Sequence, residues 1–152
     1  MYSKEEAKTL RNDFWLGFRK YTNRRRMKQK RSGKWILTRT GINALNLKFH
    51  IDREIAQVGI YLETGNMEKR LELFEKLEAT RSILEQHMQE PMNWELEYIR
   101  ENGKSISRIC VQLDEVDLYD PSTWKKVYRF FFEKMDALET YFTEYKDYLR
   151  YG

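Results

Sequence analysis

The sequence has few residues that cross-link or interrupt a chain, with one cysteine, two prolines and seven glycines among 152 residues. Because Cys110 is alone, no disulfide can form within the chain, and a reducing compartment such as the cytoplasm is the simpler expectation. No apolar stretch approaches the roughly 18 residues of a membrane-spanning helix. The charged N-terminus lacks the apolar run of a signal peptide. We therefore expect a soluble cytoplasmic protein without a membrane partner.

Aromatic residues, in contrast, are abundant, with ten Tyr, eight Phe and four Trp. Disordered segments are poor in aromatic residues, so this composition predicts a folded chain. A chain of 152 residues has the size of one domain. It can bury roughly two thirds of the surface of its unfolded state, which suffices for a hydrophobic core. We predict a single domain covering residues 1–152.

One segment of the chain lacks acidic residues. Residues 19–34 contain nine Lys and Arg and no Asp or Glu. Since the whole chain has 28 Lys and Arg against 24 Asp and Glu, the remainder has 19 cations for the same 24 acids. The protein therefore combines an acidic body with one strongly basic segment. Such an asymmetry informs about binding partners rather than about the fold.

Capping signals and apolar spacing predict three helices. A capping box formed by Ser3 and Glu6 begins the first helix near Lys4, and this helix should fray into the basic segment. Asn66 begins the second helix and Pro91 closes it. The third helix begins where Asp120 precedes Pro121, and its apolar residues continue at steps of three and four to Leu149.

Alternation of apolar and polar residues predicts strands at 34–41, 45–51 and 56–62. Asn102-Gly103 predicts a two-residue hairpin loop between two further strands. This register pairs Trp94 with Val111, Leu96 with Ile109, Tyr98 with Ser107 and Glu97 with Arg108. The whole predicts an α+β fold in the order α-β-β-β-α-β-β-α, in which helices cover one face of an antiparallel sheet of about five strands.

The basic segment 19–34 is the first candidate binding site. Its cations could contact the phosphates of DNA or RNA, and Tyr21 and Trp35 flank them as stacking surfaces. The alternative is a solvated loop that balances an acidic protein. The candidate nucleic-acid-binding residues are Arg24, Arg25, Arg26, Lys28, Lys30, Arg31, Lys34 and Trp35.

The polar face of the predicted sheet is the second candidate. Lys48, His50 and Asp52 are spaced by two on one strand, so their side chains share the face opposite Leu47 and Phe49. Gln57 and Tyr61 are expected across from them. A His beside a carboxylate could serve as a general base, whereas the alternative is an ordinary exposed sheet face.

No catalytic residue, cofactor or metal site is predicted. Glu-x-Lys triplets, the pattern that a nuclease would need on strands, occur at Glu6 and Glu144 inside predicted helices. The acidic residues at 114–120 fit no EF-hand spacing, and His87 has no second ligand at zinc spacing. A non-catalytic role is therefore favoured, with a diverged nuclease-like enzyme as an alternative.

Aromatic residues surround much of the last predicted helix. Tyr128, Phe130, Phe132, Tyr141 and Tyr148 cannot all share the stripe of the other apolar residues. A second buried face would explain them, covered either by another helix or by a second copy of the chain. A homodimeric protein–protein interaction module that pairs through this helix is thus the main alternative to nucleic-acid binding.

Five stretches together resemble one known family: “YSKEEAKTLRNDFWLGFRKY”, “KWIL”, “LNLKFHIDREIAQVGIYLE”, “NGKSISRICVQL” and “WKKVYRFFFEKMDALETYFTEYKDYL”. They are similar to a bacterial and archaeal family called domain of unknown function four-two-six-eight. Short members stand alone, and in longer members a similar domain follows a part that resembles a restriction-type nuclease. The resemblance implies a context in DNA metabolism or defence, and it supplies no catalytic residue. The function predicted is a non-catalytic binding or accessory module, associated with nucleic acid through residues 19–34.

Overall fold

The computed structural model describes residues 2–28 and 35–152, with the backbone alone described for Lys28. It has the α+β fold predicted from the sequence. The elements are α1 (Lys4–Lys28), β1 (Leu45–Ile51), β2 (Ile55–Leu62), α2 (Met67–Ala79), α3 (Arg81–Met88), β3 (Asn93–Ile99), β4 (Ser105–Asp114) and α4 (Trp124–Tyr151), with a short 3-10 turn (Pro121–Thr123) before α4.

The antiparallel sheet has four strands in the order β1-β2-β4-β3 among the described residues, so the prediction of five strands was wrong by one. The missing strand is the one predicted at 34–41. Within its described part, the backbone turns at Leu37, where φ is 42°, and the Arg39 amide donates to the Ile36 carbonyl at 2.7 Å. The Thr40 hydroxyl then donates to the Leu45 carbonyl at 2.7 Å. These local bonds form turns in place of a ladder.

The single helix predicted between Asn66 and Pro91 is two helices. Its start is confirmed, because the Asn66 side chain accepts a hydrogen bond from the Lys69 amide at 3.2 Å. The break occurs at Thr80, whose hydroxyl bonds the Leu77 carbonyl at 3.2 Å and the Tyr141 hydroxyl at 2.7 Å. Thr80 has φ of −112° and ψ of 20°, outside helical geometry, and α3 begins at the next residue.

The hairpin of β3 and β4 is confirmed, but its predicted register was wrong. Its loop has three residues, because Arg100 and Lys104 are joined by a backbone bond of 2.9 Å. Gly103 takes the left-handed conformation with φ of 83°, as in three-residue hairpin loops that end in a bulge. Trp94 therefore lies opposite Ile109, and an irregularity follows Glu95. The ion pair of Arg108 is made with Glu95, at 2.8 Å, and not with Glu97.

The described residues form two compact units that alternate along the chain. Unit 1 contains residues 2–28, 50–57 and 112–133, and unit 2 contains residues 35–49, 58–111 and 134–152. The prediction of a single domain stays a prediction.

In unit 1, α1 packs against the first half of α4 through aromatic rings. Phe14 is fully buried and lies 5.5 Å from Trp124, 5.1 Å from Tyr128 and 6.1 Å from Phe131, measured between ring centroids. The Tyr128 hydroxyl also donates to the Phe14 carbonyl at 2.7 Å. Aromatic pairs at these distances add to the stabilisation from burial.

In unit 2, α2 and α3 pack on one face of the β3–β4 hairpin. Phe74 of α2 lies 5.8 Å from the Trp94 ring, and the Trp94 indole donates to Glu85 of α3 at 3.1 Å. Arg108 points to the opposite face, where its guanidinium lies 3.7 Å from the Tyr98 ring centroid. Within this unit the helices therefore cover one face of the hairpin, as predicted for the sheet.

The aromatic residues around α4 have partners within the chain. Phe132 is buried beneath the Arg25 guanidinium, 4.4 Å from its ring centroid, and Tyr141 bonds Thr80. The Tyr148 hydroxyl donates to the Lys76 carbonyl at 3.3 Å. Burial within the chain thus accounts for Phe132 and Tyr141, whereas Tyr148 remains 36% exposed, and a homodimer stays a prediction. No helix in the described part of the chain is both long and apolar enough to cross a membrane.

Candidate functional site

The N-terminal part of the basic segment is helical, because α1 extends to Lys28, and the rest of the segment lies outside the described residues. The negative end of the helix dipole lies at its C-terminus, where cationic side chains are stabilising. This position favours the helical conformation of the cations after Arg19. Arg19, Lys20 and Arg24 are exposed on α1.

Arg25 and Arg26, two of the predicted phosphate-binding residues, are packed against the protein. Arg25 donates to the Tyr21 hydroxyl at 2.9 Å and covers the Phe132 ring. Arg26 is only 7% exposed. Among the predicted residues, Arg24 is thus the cation that the structure places at the surface. The side chain of Lys28 and all of Lys30, Arg31 and Lys34 lie outside the described residues.

Trp35, the predicted stacking surface, belongs to unit 2. Its ring meets Phe49 edge to face at a centroid distance of 6.1 Å. Trp35 is half-buried, so part of its surface is engaged in packing within the chain. Its role in binding bases stays a prediction.

His50 and Asp52 of the predicted polar face form a pair in unit 1. His50 Nε2 lies 2.9 Å from Asp52 Oδ2, and both side chains are substantially exposed. Asp52 Oδ1 accepts the backbone amides of Glu54 at 2.8 Å and Ile55 at 2.9 Å. Burial opposes ionisation, but the bonds from His50, Ile55 and Glu54 outweigh it and hold the pKa of Asp52 below its ordinary value. This geometry caps the turn between β1 and β2.

Gln57 also lies in unit 1, where its side-chain amide donates to the Gln112 side chain at 2.8 Å. Gln57 is 3% exposed, so it is a buried polar residue and not part of an open surface.

Lys48 and Tyr61, the remaining residues of the predicted polar face, lie together in unit 2. Lys48 Nζ is 5.4 Å from the centroid of the Tyr61 ring. Tyr61 is buried, and burial raises the pKa of its phenol, although Arg108 opposes this effect. Long cationic and aromatic side chains therefore cover the sheet here.

A pocket in unit 2 combines Lys48 with residues that the sequence did not single out. It has a volume of about 810 Å³. We call it the cationic pocket, and it is lined by Asn46, Lys48, Glu63, Thr64, Gly65, Arg70, Arg100, Lys104, Ser105 and Ile106. Four of these side chains are cationic and one is acidic, which leaves a formal excess of three positive charges.

Glu63 is the acidic residue of the cationic pocket. Its carboxylate accepts hydrogen bonds from Lys48 Nζ at 2.8 Å, from Asn46 Nδ2 at 2.8 Å, and from Arg100. Burial disfavours the charged form, but the bonds from Lys48, Asn46 and Arg100 outweigh burial and lower the pKa of Glu63. Glu63 thus stays ionised at neutral pH and acts as a counter-ion for two of the four cations.

Arg70 is the most buried cation of the pocket, with 4% of its surface exposed. It donates to Ser105 Oγ at 3.1 Å and to the sulfur of Met67 at 2.9 Å. Its Nε has no hydrogen-bond acceptor among residues 2–28 and 35–152. Neither partner is charged, so Arg70 is a buried cation without a carboxylate partner in the described structure.

The sequence offered no signal for this pocket. Arg70 and Ser105 are 35 residues apart, and Arg70 looks like any charged residue of an amphipathic helix. Only the packing of α2 against β4 shows that its guanidinium is buried.

Residues able to hold a metal do not converge in the described chain. Among residues 2–28 and 35–152, no group of three or more His, Cys, Asp and Glu side chains could bind a metal ion. Glu144, the acid of one Glu-x-Lys triplet, lies in α4 and faces His87 at 3.6 Å.

Comparison with known proteins supplies a family and no activity. Neither the search of curated proteins nor the search of solved structures found a match. The family model described as domain of unknown function (DUF4268) matches residues 10–146, which is most of both units. The chain belongs to this family of unknown function.

Proposed function

We propose that the protein is a non-catalytic accessory module that binds nucleic acid through the cations near the C-terminal end of α1 and the segment that follows it. The observation that carries the proposal is a group of exposed cations in a stretch of sequence without acids. Arg19, Lys20 and Arg24 are exposed, and the sequence has no Asp or Glu from Phe14 to Lys34. The cytoplasmic location expected from the lone cysteine stays a prediction.

This surface suits contacts with phosphates better than recognition of bases. Arg and Lys side chains neutralise phosphates and release counter-ions, which gives binding that is independent of sequence and sensitive to salt. Tyr21, one of the predicted stacking residues, accepts a hydrogen bond from Arg25 and lies 5.8 Å from the Tyr128 ring. Charge rather than stacking should therefore dominate the affinity.

The test is fluorescence anisotropy with a labelled DNA duplex across a salt series. Three phosphate contacts should weaken duplex binding about 40-fold as salt rises from about 50 to about 200 mM. The triple variant R19E/K20E/R24E should bind more weakly, and the slope of its logarithmic salt dependence should be smaller by about 2.7. Circular dichroism verifies that α1 remains helical.

The matched control is K4E/K125E/K126E, which changes the net charge equally at exposed positions outside residues 19–34, including the opposite end of α1. It should keep the wild-type salt slope. Equal losses of DNA affinity in both triple variants would show that only the net charge matters. An absence of DNA binding by the wild type at low salt would end the proposal.

The alternatives give different results. A homodimer paired through α4 would double the mass in light scattering as concentration rises. A nuclease-like enzyme would nick plasmid DNA in the presence of Mg²⁺ or Mn²⁺. The accessory module proposed here binds DNA without cleaving it.

A further inference from the structure

We propose that the cationic pocket of unit 2 is a second binding site, which takes the phosphate group of a phosphorylated ligand. This site is separate from the α1 surface, because it is built from Arg70, Lys104, Lys48 and Arg100. The inference depends on the burial and charge of these residues and holds whether or not α1 binds nucleic acid.

Arg70 provides the first reason. Burying a cation is costly unless it is paired with an anion or fully hydrogen-bonded. Arg70 is 4% exposed, yet its acceptors are the Ser105 hydroxyl and the Met67 thioether, and its Nε has no acceptor in the described residues. A thioether is a weak acceptor. The environment of Arg70 is therefore completed by an anion in the adjoining pocket.

Glu63 provides the second reason. It already pairs with Lys48 and Arg100, so an anion of the chain itself occupies part of the cationic surface. Lys104, like Arg70, has no carboxylate partner among the described residues, since none of the ion pairs there includes it. The pocket thus keeps two unpaired cations after its internal counter-ion is counted. An incoming phosphate would bind these two and compete with Glu63 for the others.

The lining of the pocket indicates the class of ligand. Its volume of about 810 Å³ falls within the range of small-molecule sites. Besides the charged residues, the lining offers hydroxyl and amide groups from Thr64, Ser105 and Asn46, but no aromatic ring. A phosphate group held by cations and neutral donors fits this surface, whereas a stacked base has no platform. Arginine and lysine are the usual partners of phosphate oxygens.

The experiment titrates the full chain with inorganic pyrophosphate at constant ionic strength and follows backbone amides by NMR. We expect saturable shifts at Gly65 and Ser105, which report on the pocket. Lys104→Glu should weaken binding about tenfold, as expected for the loss of a charge-assisted hydrogen bond. Lys126→Glu, an exposed change of equal charge outside the pocket, should bind within about twofold of the wild type.

Glu63→Gln should act in the opposite direction and strengthen binding, because it removes the internal competitor for Lys48 and Arg100. A residue that merely maintained the fold would not improve binding when replaced. Arg70→Met is the most direct variant, but it can unfold the chain, so Lys104→Glu and Glu63→Gln carry the test. The proposal would be overturned if no saturable shifts appear. It would also be overturned if Lys104→Glu and Lys126→Glu lose equal affinity for pyrophosphate, or if Glu63→Gln binds pyrophosphate more weakly than the wild type.

A further comparison identifies the source of the phosphate. A preference for a 5′-phosphorylated over a 5′-hydroxyl oligonucleotide, lost in Lys104→Glu, would assign the end of a nucleic acid. Binding of pyrophosphate without that preference would assign a small phosphorylated molecule.

Discussion

Gly59 of β2 and Cys110 of β4 touch across the sheet, so closely that a side chain at Gly59 has no room. A Cβ atom built on Gly59 would lie 2.6 Å from the Cβ of Cys110 and would also overlap the Ile109 carbonyl oxygen. Cys110 is 1% exposed, and burial raises the pKa of its thiol. The lone cysteine of the chain is therefore covered.

Gly59→Ala should therefore destabilise the protein by about 1–3 kcal/mol, the usual cost of overpacking a well-packed core. The colliding atoms include backbone of β4, which cannot move without disturbing the ladder. Urea denaturation followed by circular dichroism measures the change.

Gly65→Ala is the matched control, because a Cβ atom there has no neighbour within 4 Å and the backbone is not left-handed. Its free energy of unfolding should stay within about 0.5 kcal/mol of the wild type. A similar decrease in the free energy of unfolding for Gly59→Ala and Gly65→Ala would contradict the close approach of β2 and β4.

Local sequence signals predicted where elements begin. The capping box at the start of α1 is present, with the Glu6 amide donating to Ser3 Oγ at 3.1 Å. Asn66 caps α2, and Asp120 accepts the Ser122 amide at 3.1 Å ahead of α4. Each signal involves residues two or three apart, so the sequence contains the whole interaction.

Features that the spacing of apolar residues and the helix caps do not encode were missed. Alternation at 34–41 predicted a strand, but the bonds of Thr40 fold the described part into turns. Asn102-Gly103 located the hairpin, but its three-residue loop and the irregularity after Glu95 together set its register. The cationic pocket unites residues from four separate segments of the chain. None of these features has a local pattern that could have revealed it.

Gly17 of α1 lies against the side chain of Tyr128 of α4, so we expect mutations at these two positions to have coupled effects on stability. A Cβ atom on Gly17 would overlap the Tyr128 hydroxyl and lie 3.2 Å from its Cζ. The ring cannot easily turn away, because its hydroxyl donates to the Phe14 carbonyl at 2.7 Å. Gly17→Ala should cost about 1–3 kcal/mol of stability through this overlap.

Tyr128→Phe removes the hydroxyl that causes the overlap. The cost of Gly17→Ala should therefore be smaller in the Tyr128→Phe background, with a coupling energy of about 0.5 kcal/mol or more in a double-mutant cycle. Additive losses of stability would show that the two residues do not meet.

Burial also raises the pKa of Tyr128 to about 12, so its tyrosinate absorbance should appear at higher pH than that of exposed tyrosines in an alkaline titration.

Glu63 should make stability depend on pH at the acidic end. Its pKa is lowered in the folded chain, because the bonds from Lys48, Asn46 and Arg100 outweigh burial. A carboxylate with a lowered pKa contributes stability that is complete above its unfolded pKa of about 4.3. That contribution is lost as the pH falls through the folded pKa. Glu63→Gln lacks the titrating group and should lose stability less steeply with acid.

At neutral pH, Glu63→Gln should lower the free energy of unfolding by about 1 kcal/mol, since it replaces charge-assisted hydrogen bonds with neutral ones. The difference from the wild type should shrink as the pH falls below the unfolded pKa of about 4.3 and through the lowered pKa of the folded chain, where the wild-type carboxylate becomes protonated. Urea denaturation of both proteins across this range measures the difference, and other acids such as Asp52 cancel because both proteins contain them. A difference that stayed constant with pH would mean that the Glu63 carboxylate is not held by these cations. In that case the cationic pocket would also lack its internal counter-ion, and the predicted gain in pyrophosphate affinity on Glu63→Gln would disappear.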